Sequence, residues 1–267
     1  MKITHVTLLT VLLVSSNSIL AFDEVRITPN TPLGWESANL RDDAIVEIND
    51  NQPLFGGGSL MFATDTVTSG QDKGDFQFIW QQSIDAIDFP DRILGNISEL
   101  SYFWYRDANS TTAAHFTPVV RLSFYDDAGT PQDFNDDKTG FLIWEGIYNG
   151  INPAATDSWQ LSDIINGNFW AFVSGEGVVA DFDVTLDDWV TGNHPNGSLS
   201  LSTNTNIIGL NIGVGSGWNN SFIGYVDAVR LSFGEVDDVL YNFELCDLFV
   251  PNTNPDVIFD NSFECFQ

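Results

Sequence analysis

Short apolar runs separated by turn-forming residues dominate this chain and constrain its fold more than any other feature. The runs are rich in Val, Ile, Phe, Tyr and Trp, and they are bounded by Gly, Asn, Asp and Pro, which is typical of β-strands. Few segments carry apolar residues at the helical spacing of three and four. We predict strands over residues 44–48, 59–63, 74–80, 99–106, 119–125, 139–148, 170–173, 207–214, 222–233 and 239–243.

Many short strands joined by turns predict an all-β sandwich or closed barrel. One or two short helices are expected over residues 158–165 (SWQLSDII) and 185–191 (TLDDWVT), because each segment begins with a Ser or Thr that can cap a helix. We assign residues 22–244 to one domain, since all-β domains commonly run to about 200–250 residues.

Residues 1–21 have the layout of a secretory signal peptide, with Lys2, then an apolar run over 6–14, then small residues ending at Ala21. That run is shorter than the roughly 20 residues that cross a bilayer. An uncleaved anchor or a buried helix is the alternative. We therefore expect a secreted or cell-surface protein with no membrane span after the signal is removed.

The charge balance excludes one class of function. The chain has 9 Lys and Arg against 37 Asp and Glu, for a formal net charge of -28. Nucleic-acid binding needs clustered basic residues, so we exclude it. Two interpretations of the acidity remain: solvation of a secreted protein, or calcium binding by hard carboxylate oxygens.

The two cysteines, Cys246 and Cys265, both lie in a C-terminal tail over residues 245–267, where the composition gains Pro and Asn. Because the expected compartment is oxidising, a disulfide between them is predicted. It would close a short loop and add about 3 kcal/mol.

The segment FIGYVDAVRL, residues 222–231, resembles the closing strand of concanavalin-like and laminin-G-like lectin domains and of jelly-roll carbohydrate-binding modules. The resemblance implies an antiparallel sandwich of jelly-roll or concanavalin-like type. In several such modules an acid on this strand ligates a structural calcium, and the matching residue here is Asp227. The second acid or Asn of that pattern is Ala228 in this chain.

A longer set of motifs, from GSLMFATDTVTSGQDKGDFQF through YFWYRDANSTTAAHFTPVVRLSFYD and GFLIWEGIYNG to GNFWAF and NIGVGSGWNNSFIGYVDAVRL, resembles a set of uncharacterised secreted bacterial proteins. This resemblance covers most of the mature chain and implies no activity. The ending VIFDNSFEC is similar to the tails of some secreted proteobacterial proteins.

The segment 102–107 (YFWYRD) is our first candidate ligand site. Tyr102, Trp104 and Arg106 should share one face of a strand, and Phe103, Tyr105 and Asp107 the other. Trp104 or Tyr105 would stack on a sugar while Arg106 and Asp107 bind its hydroxyls. The alternative is an aromatic core with Arg106 neutralised by a neighbouring acid, because aromatic residues usually supply core burial.

Other candidates are weaker. Trp218 follows the Gly-rich segment 213–217 and is a second sugar-stacking candidate, or a buried plug. The glycines there should let the backbone turn before the closing strand. His115 and Glu145 are expected to be structural and surface-exposed, respectively. The chain has no G-x-S-x-G, H-E-x-x-H or EF-hand motif and no paired-acid glycosidase strand.

Three functions follow from these observations. The first is a non-catalytic carbohydrate-binding, lectin-like domain with a polysaccharide or cell-surface glycan as partner, with calcium at Asp227 and with Trp104, Tyr105, Arg106, Asp107 and Trp218 as ligand residues. The second is a structural or matrix protein of the bacterial cell surface. The third is a polysaccharide-degrading enzyme, which needs two facing carboxylates that the sequence does not identify.

Overall fold

The computed structural model describes residues 22–65, 71–80, 90–130, 133–195, 199–234, 237–246, 249–251 and 263–265. Two seven-stranded sheets contain most of the described strands, and the segments expected to form the signal peptide lie outside the described residues. The structure confirms the predicted all-β sandwich. No helix in the described ranges is both long and apolar enough to cross a membrane.

Sheet A has the order β1-β14-β13-β4-β3, and β6 pairs with both β13 and β9. Its pairs are antiparallel except for the parallel pair β1 and β14. Its strands are β1 (Asp23–Ile27), β3 (Ile45–Asn49), β4 (Ser59–Thr64), β6 (Ile97–Arg106), β9 (Gln160–Asp163), β13 (Phe222–Phe233) and β14 (Asp237–Phe243).

Sheet B has the order β11-β10-β8-β7-β12-β5-β2, and all of its pairs are antiparallel. Its strands are β2 (Trp35–Arg41), β5 (Lys73–Ile79), β7 (Val119–Asp126), β8 (Lys138–Trp144), β10 (Phe169–Val173), β11 (Gly177–Val179) and β12 (Asn206–Gly215). A helix, α1 (Leu186–Thr191), and two 3-10 turns at Leu94–Asn96 and Gly146–Asn149 complete the sandwich.

One hydrophobic core joins the two sheets. Along β7, Leu122 and Phe124 are fully buried in it, while Arg121 and Ser123 lie on the opposite face of sheet B, as the two-residue period of a strand requires. The Tyr102 ring of sheet A meets the Trp144 ring of sheet B edge-on at 5.8 Å between centroids. Each fully buried large apolar side chain contributes about 1.5–3 kcal/mol, so this interface is the main source of stability.

The predicted strands are all present, with ends shifted by a few residues, but one predicted helix is wrong. Residues 160–163 form β9, whose backbone pairs with β6 from Ser101 to Trp104. In this extended form Leu161 is 58% exposed and Ile164 is fully buried. Pairing with β6 therefore outweighs the local signal. The predicted strand over 139–148 ends at Trp144 and continues as a 3-10 turn.

The second predicted helix is confirmed as α1. The Thr185 hydroxyl accepts a hydrogen bond from the Asp188 N–H, and the Asp188 carboxylate accepts one from the Thr185 N–H, which is a capping box. Gly192 ends the helix in the left-handed conformation, with φ of 71°.

The tail contains a short antiparallel pair, β15 (Phe249–Pro251) and β16 (Phe263–Cys265). The backbone of Cys265 pairs with Phe249, which follows Cys246 by three positions in the chain. This pairing is compatible with the expected disulfide, which stays a prediction.

Candidate binding cleft

A cleft of about 380 Å³ lies on the face of sheet B that points away from the core. We call it the sheet B cleft. Its volume falls within the range of small-ligand sites, about 300–1,000 Å³. The charged and amide side chains that line it are Asn39, Arg41, Lys73, Asp75, Arg121 and Glu145. The apolar side chains that line it are Phe141, Ile143, Trp170, Phe172 and Trp218.

Strand register brings these residues together from distant parts of the chain. Arg121 on β7 lies opposite Asn211 on β12 and opposite Ile143 on β8, and Ile143 in turn lies opposite Trp170 on β10. Neighbouring strands lie about 4.8 Å apart, so this single row crosses four strands over roughly 14 Å. The row has a polar end at Asn211 and an aromatic end at Trp170.

The Asp75 carboxylate organises the polar end. Its Oδ1 accepts from Arg121 Nη1 at 2.8 Å, and its Oδ2 accepts from Asn39 Nδ2 at 2.8 Å and pairs with Lys73 Nζ at 3.1 Å. Asp75 is 1% exposed, and a buried charge of this kind is tolerated only when it is paired and hydrogen-bonded. Asp75 therefore fixes the positions of both cations.

Arg121 is 7% exposed and is held by one edge only. Its Nη1 donates to Asp75 Oδ1 at 2.8 Å and to Asn211 Oδ1 at 2.6 Å. Within the described part of the chain, both of its side-chain hydrogen bonds come from Nη1, and its Nε and Nη2 groups donate none. These two groups form the edge of a guanidinium that binds a carboxylate or similar anion in bidentate fashion.

Gly213 makes room for this ion pair. A Cβ at that position would lie 2.1 Å from Asp75 Oδ1 and 2.6 Å from Arg121 Nη1, so any larger residue would displace one of them. Gly215 and Gly217 have φ of 69° and 91°, which agrees with the prediction that glycines let the backbone turn here. The role of Gly213 in the site was not predicted, because it depends on Asp75 and Arg121 meeting beside it.

Glu145 directly follows β8, and the expectation that it is an exposed surface residue is wrong. Its side chain is half-buried and lines the cleft. Burial raises the pKa of its carboxyl, while the Arg121 charge and the Trp170 indole partly offset that rise. A carboxyl in this environment can accept a hydrogen bond when ionised and donate one when protonated.

Aromatic rings form the other wall of the cleft. Trp170 and Phe172 alternate on β10 with core residues, so both project to the same face. Phe172 is 37% exposed, and Phe141 lies opposite it on β8. This wall offers flat apolar surface beside the polar end of the row.

Trp218 is the one predicted ligand residue that the structure brings to the cleft. It is 7% exposed, and its ring stacks on Phe116 at 4.3 Å between centroids with an interplanar angle of 8°. The Phe222 ring contacts it edge-on at 5.0 Å. Since these neighbours cover most of the indole, Trp218 closes one end of the cleft and offers little surface for stacking.

The other predicted ligand residues lie on β6 in sheet A and do not line the cleft. Trp104 is 3% exposed, belongs to the core, and donates from its indole to Ser162 Oγ at 2.9 Å. Tyr105 lies on the opposite face and donates from its hydroxyl to Asp157 at 3.3 Å. These positions agree with the alternative of an aromatic core for Trp104.

Arg106 and Asp107 shape a loop. The Arg106 guanidinium is 3% exposed and donates to Thr112 Oγ1, to the Thr112 carbonyl and to the Phe116 carbonyl, at 2.9–3.2 Å. No acid neutralises it within the described ranges, contrary to the alternative considered above. The half-exposed Asp107 accepts from the N–H of Asn109 at 2.7 Å and turns the chain.

Asp227 lies where β13 changes partners. Residues 222–226 of β13 pair with β4, and residues 229–233 pair with β14. The fully buried Asp227 carboxylate accepts from the N–H of Phe55, Ala228 and Phe243 at 2.8–3.2 Å, and so replaces the missing strand partner. Burial raises its pKa to about 7, although the three N–H donors lower it.

The structure gives calcium no preformed cluster within the described residues, where no group of three or more His, Cys, Asp or Glu could hold a metal ion. Calcium binding at Asp227 stays a prediction. His115 is half-buried and its ring packs edge-on against Phe116 at 4.5 Å, and its structural role stays a prediction.

Comparisons with known proteins identify no family for this chain. No protein-family model matches the chain, and no curated protein matches it. Solved structures that match include the CBM27-1 module of Caldicellulosiruptor saccharolyticus in complex with mannohexaose (13% identity, TM-score 0.38, covering 78% of this chain and 93% of that one). An endo-β-1,4-glucuronan lyase from the fungus Trichoderma reesei matches at 9% identity and TM-score 0.38, covering 81% and 96%.

A third match is a structure on the promiscuous specificity of carbohydrate-binding modules from the β-sandwich superfamily, at 10% identity and TM-score 0.35. It covers 74% of this chain and 57% of that one, so this chain spans little more than half the length of that protein. With TM-scores below 0.5 and identities of 9–13%, these matches support no inference about this chain, and its function has to be argued from the cleft.

Proposed function

We propose that this protein is a secreted, non-catalytic carbohydrate-binding domain that holds a polysaccharide in the sheet B cleft. The observation that carries the proposal is the arrangement of the cleft, in which aromatic rings face charged hydrogen-bonding groups across one row of paired strands. A sugar ring has an apolar C–H face and a rim of hydroxyls. The two walls of the cleft match these two surfaces.

Trp170 and Phe172 supply the stacking surface. They are two residues apart on β10, so their Cα atoms lie about 7 Å apart on one face of the strand. Large, rigid aromatic side chains bury much apolar area and lose little conformational entropy, which suits them to the weakly apolar faces of sugars.

Arg121 and Glu145 supply the polar contacts. The free Nε and Nη2 edge of Arg121 can donate two parallel hydrogen bonds. The Glu145 carboxyl lines the same cleft, near enough for the Arg121 charge to lower its pKa, and can accept from a hydroxyl. Arg121 lies within β7 and Glu145 directly follows β8, so paired strands fix where both groups leave the backbone.

The contacts that Asp75 already makes favour sugar binding over sugar hydrolysis as the function of the cleft. Glycoside hydrolysis uses two carboxyl groups, one as acid and one as base or nucleophile. The cleft has two, but both oxygens of Asp75 already bind Arg121, Asn39 and Lys73. Proton abstraction or attack by Asp75 would require breaking these contacts, so Glu145 has no available partner.

Affinity electrophoresis on a panel of soluble polysaccharides tests the proposal. We expect retardation by at least one polysaccharide and a loss of about tenfold in affinity for Trp170→Ala, equivalent to about 1.4 kcal/mol. Trp159→Ala is the matched control, since Trp159 is also half-buried but packs on Tyr105 at sheet A, outside the cleft.

Retention by no polysaccharide would overturn the proposal and favour a structural role at the cell surface. So would retention that Trp159→Ala removes and Trp170→Ala leaves intact. Running the panel with calcium and with a chelator tests the predicted ion separately, and export of the chain fused to a reporter tests the predicted signal peptide.

A further inference from the structure

Three of the few cations in this chain line the sheet B cleft. The protein has 9 Lys and Arg in all, of which Lys2 belongs to the expected signal peptide. Arg41, Lys73 and Arg121 all reach the same cleft, whose lining includes two acids. In a chain with 37 acidic residues and a formal net charge of -28, this is a local reversal of charge.

The cations are close enough to repel one another. Arg41 on β2 and Lys73 on β5 are directly opposite in strand register, an arrangement that destabilises a sheet when the two charges are alike. Burial lowers the pKa of Lys73, and the charges of Arg121 and Arg41 lower it further. Asp75 offsets part of this repulsion, because it pairs with Lys73 and Arg121 but not with Arg41.

Two cations in the cleft therefore have N–H donors that no carboxylate of the described residues binds. Arg41 is exposed and makes no ion pair within the described residues. Arg121 keeps its Nε and Nη2 edge free at the floor of the cleft. A planar group with two equivalent oxygens fits the Nε and Nη2 edge of Arg121. A second negative charge on the same ligand, on the side of the cleft formed by β2, would meet Arg41.

We infer that the ligand is an anionic polysaccharide, with a carboxylate or sulfate group seated on the Nε and Nη2 edge of Arg121 and its sugar ring against Trp170. This inference rests on the proposed function and specifies its substrate class. The acidic group would add negative charge to a cleft in which three cations, Arg41, Lys73 and Arg121, face two acids, Asp75 and Glu145, while Asp75 keeps Arg121 and Lys73 in place as a positioning residue.

The negative charge of the whole protein does not contradict this inference. At physiological ionic strength the Debye length is about 8 Å, so charges spread over the surface are screened beyond that distance. Groups in a partly buried cleft are screened much less. The cleft therefore acts on a ligand locally, and the assay should be run at about 0.15 M salt.

Paired polysaccharides that differ in charge alone test the inference. Polygalacturonate is compared with its carboxyl-reduced, neutral form, and dextran sulfate is compared with dextran. We expect retention by a charged member of at least one pair and at least tenfold weaker retention by its neutral partner. The pair that shows the difference identifies the anion as a carboxylate or a sulfate.

Two variants connect the effect to the cleft. Arg121→Lys keeps the charge and removes the bidentate edge, and we expect about a tenfold loss of affinity for the charged polymer. Arg41→Gln alters an exposed side chain with no ion pair, so it should fold normally and weaken binding about two- to fivefold. Arg26→Gln removes the same charge from an exposed site on β1, outside the cleft, and should change nothing.

The results separate this inference from the proposed function. Equal retention by the charged and neutral members of both pairs, or by neutral glycans alone, would overturn the inference and leave carbohydrate binding intact. Retention by no polysaccharide would overturn both. Charge-dependent retention that Arg41→Gln and Arg26→Gln weaken equally would place the anion outside the cleft and overturn the inference as well.

Discussion

The buried carboxylate of Asp227 should make this protein less stable as the pH rises from about 4 to 7. The side chain is fully buried, and two opposing effects set its pKa. Burial and, to a smaller extent, the charge of Glu244 raise the pKa, and the N–H donors of Phe55, Phe243 and Ala228 lower it, with a net result of about 7. The ordinary value is 3.8, so the folded state favours the protonated form.

The sign follows from proton linkage. Between about pH 4 and pH 7, Asp227 keeps its proton in the folded state and loses it in the unfolded state, so unfolding releases a proton. Its contribution to stability is fully present below about pH 4 and is lost as the pH approaches 7. The difference of about three pKa units, at about 1.4 kcal/mol each, gives about 4 kcal/mol.

Urea unfolding at a series of pH values, with wild type and Asp227→Asn side by side, measures this effect. The amide that replaces the carboxyl group cannot ionise, so we expect the variant to lack the decline of about 4 kcal/mol. The NH₂ group of that amide would face a backbone N–H and cost about 1–3 kcal/mol at every pH. The ionisation of Asp227 is therefore tested by the difference in slope between the two plots of unfolding free energy against pH. A constant offset between the plots does not test it.

Asp188→Asn is the matched control, and it should change the slope of unfolding free energy against pH in the opposite sense. Hydrogen bonds from the Thr185 hydroxyl and N–H and from Asn193 lower the pKa of Asp188, so its contribution is present at neutral pH and lost in acid. Parallel curves for wild type and Asp227→Asn would refute the reasoning. A wild type that gains stability relative to the variant as the pH rises would show that the three N–H donors outweigh burial.

Further predictions concern packing, backbone and the tail. Leu122→Ala should destabilise by about 2–5 kcal/mol in urea unfolding, whereas Leu161→Ala, at a site 58% exposed, should cost under about 0.5 kcal/mol; equal costs would contradict the assigned core. Gly56→Ala should cost about 2–4 kcal/mol, because φ is 74° and the new Cβ would lie 1.8 Å from Glu244 Oε1. Gly129→Ala measures the backbone cost alone, because φ is 75° and no atom lies within 4 Å of the new Cβ. A loss of stability there equal to that of Gly56→Ala would show that the contact with Glu244 adds nothing. Mass spectrometry of the exported chain should show a mass lower than that of the reduced form by two hydrogen atoms, and an unchanged mass would disprove the disulfide.

The fold could be predicted from the sequence because strand signals are local. The alternation in β7 and the apolar runs of β12 and β13 are visible in a few consecutive residues. The edge strands β1, β2, β9 and β11 were not predicted, because they are short or largely exposed and have little apolar pattern. Their conformation depends on a neighbouring strand that lies far away in the sequence.

The cleft could not be predicted for the same reason. Asp75 and Arg121 are 46 residues apart, and they meet because β12 lies between their strands. Arg121 is one of only 9 Lys and Arg residues, but nothing near it in the sequence indicates its partner. The candidate aromatic residues on β6 were misplaced because alternation tells which residues share a face and does not tell which face is the core.

The parallel pairing of β1 with β14 has a consequence for how the protein can be displayed. The first and last strands of the sandwich lie side by side at one edge of sheet A, while the cleft opens on the outer face of sheet B. A support attached through either end of the domain would leave the cleft free. Neighbouring copies on one surface could then hold a single polymer at several points, so that retention would depend on surface density as well as on the affinity of one cleft.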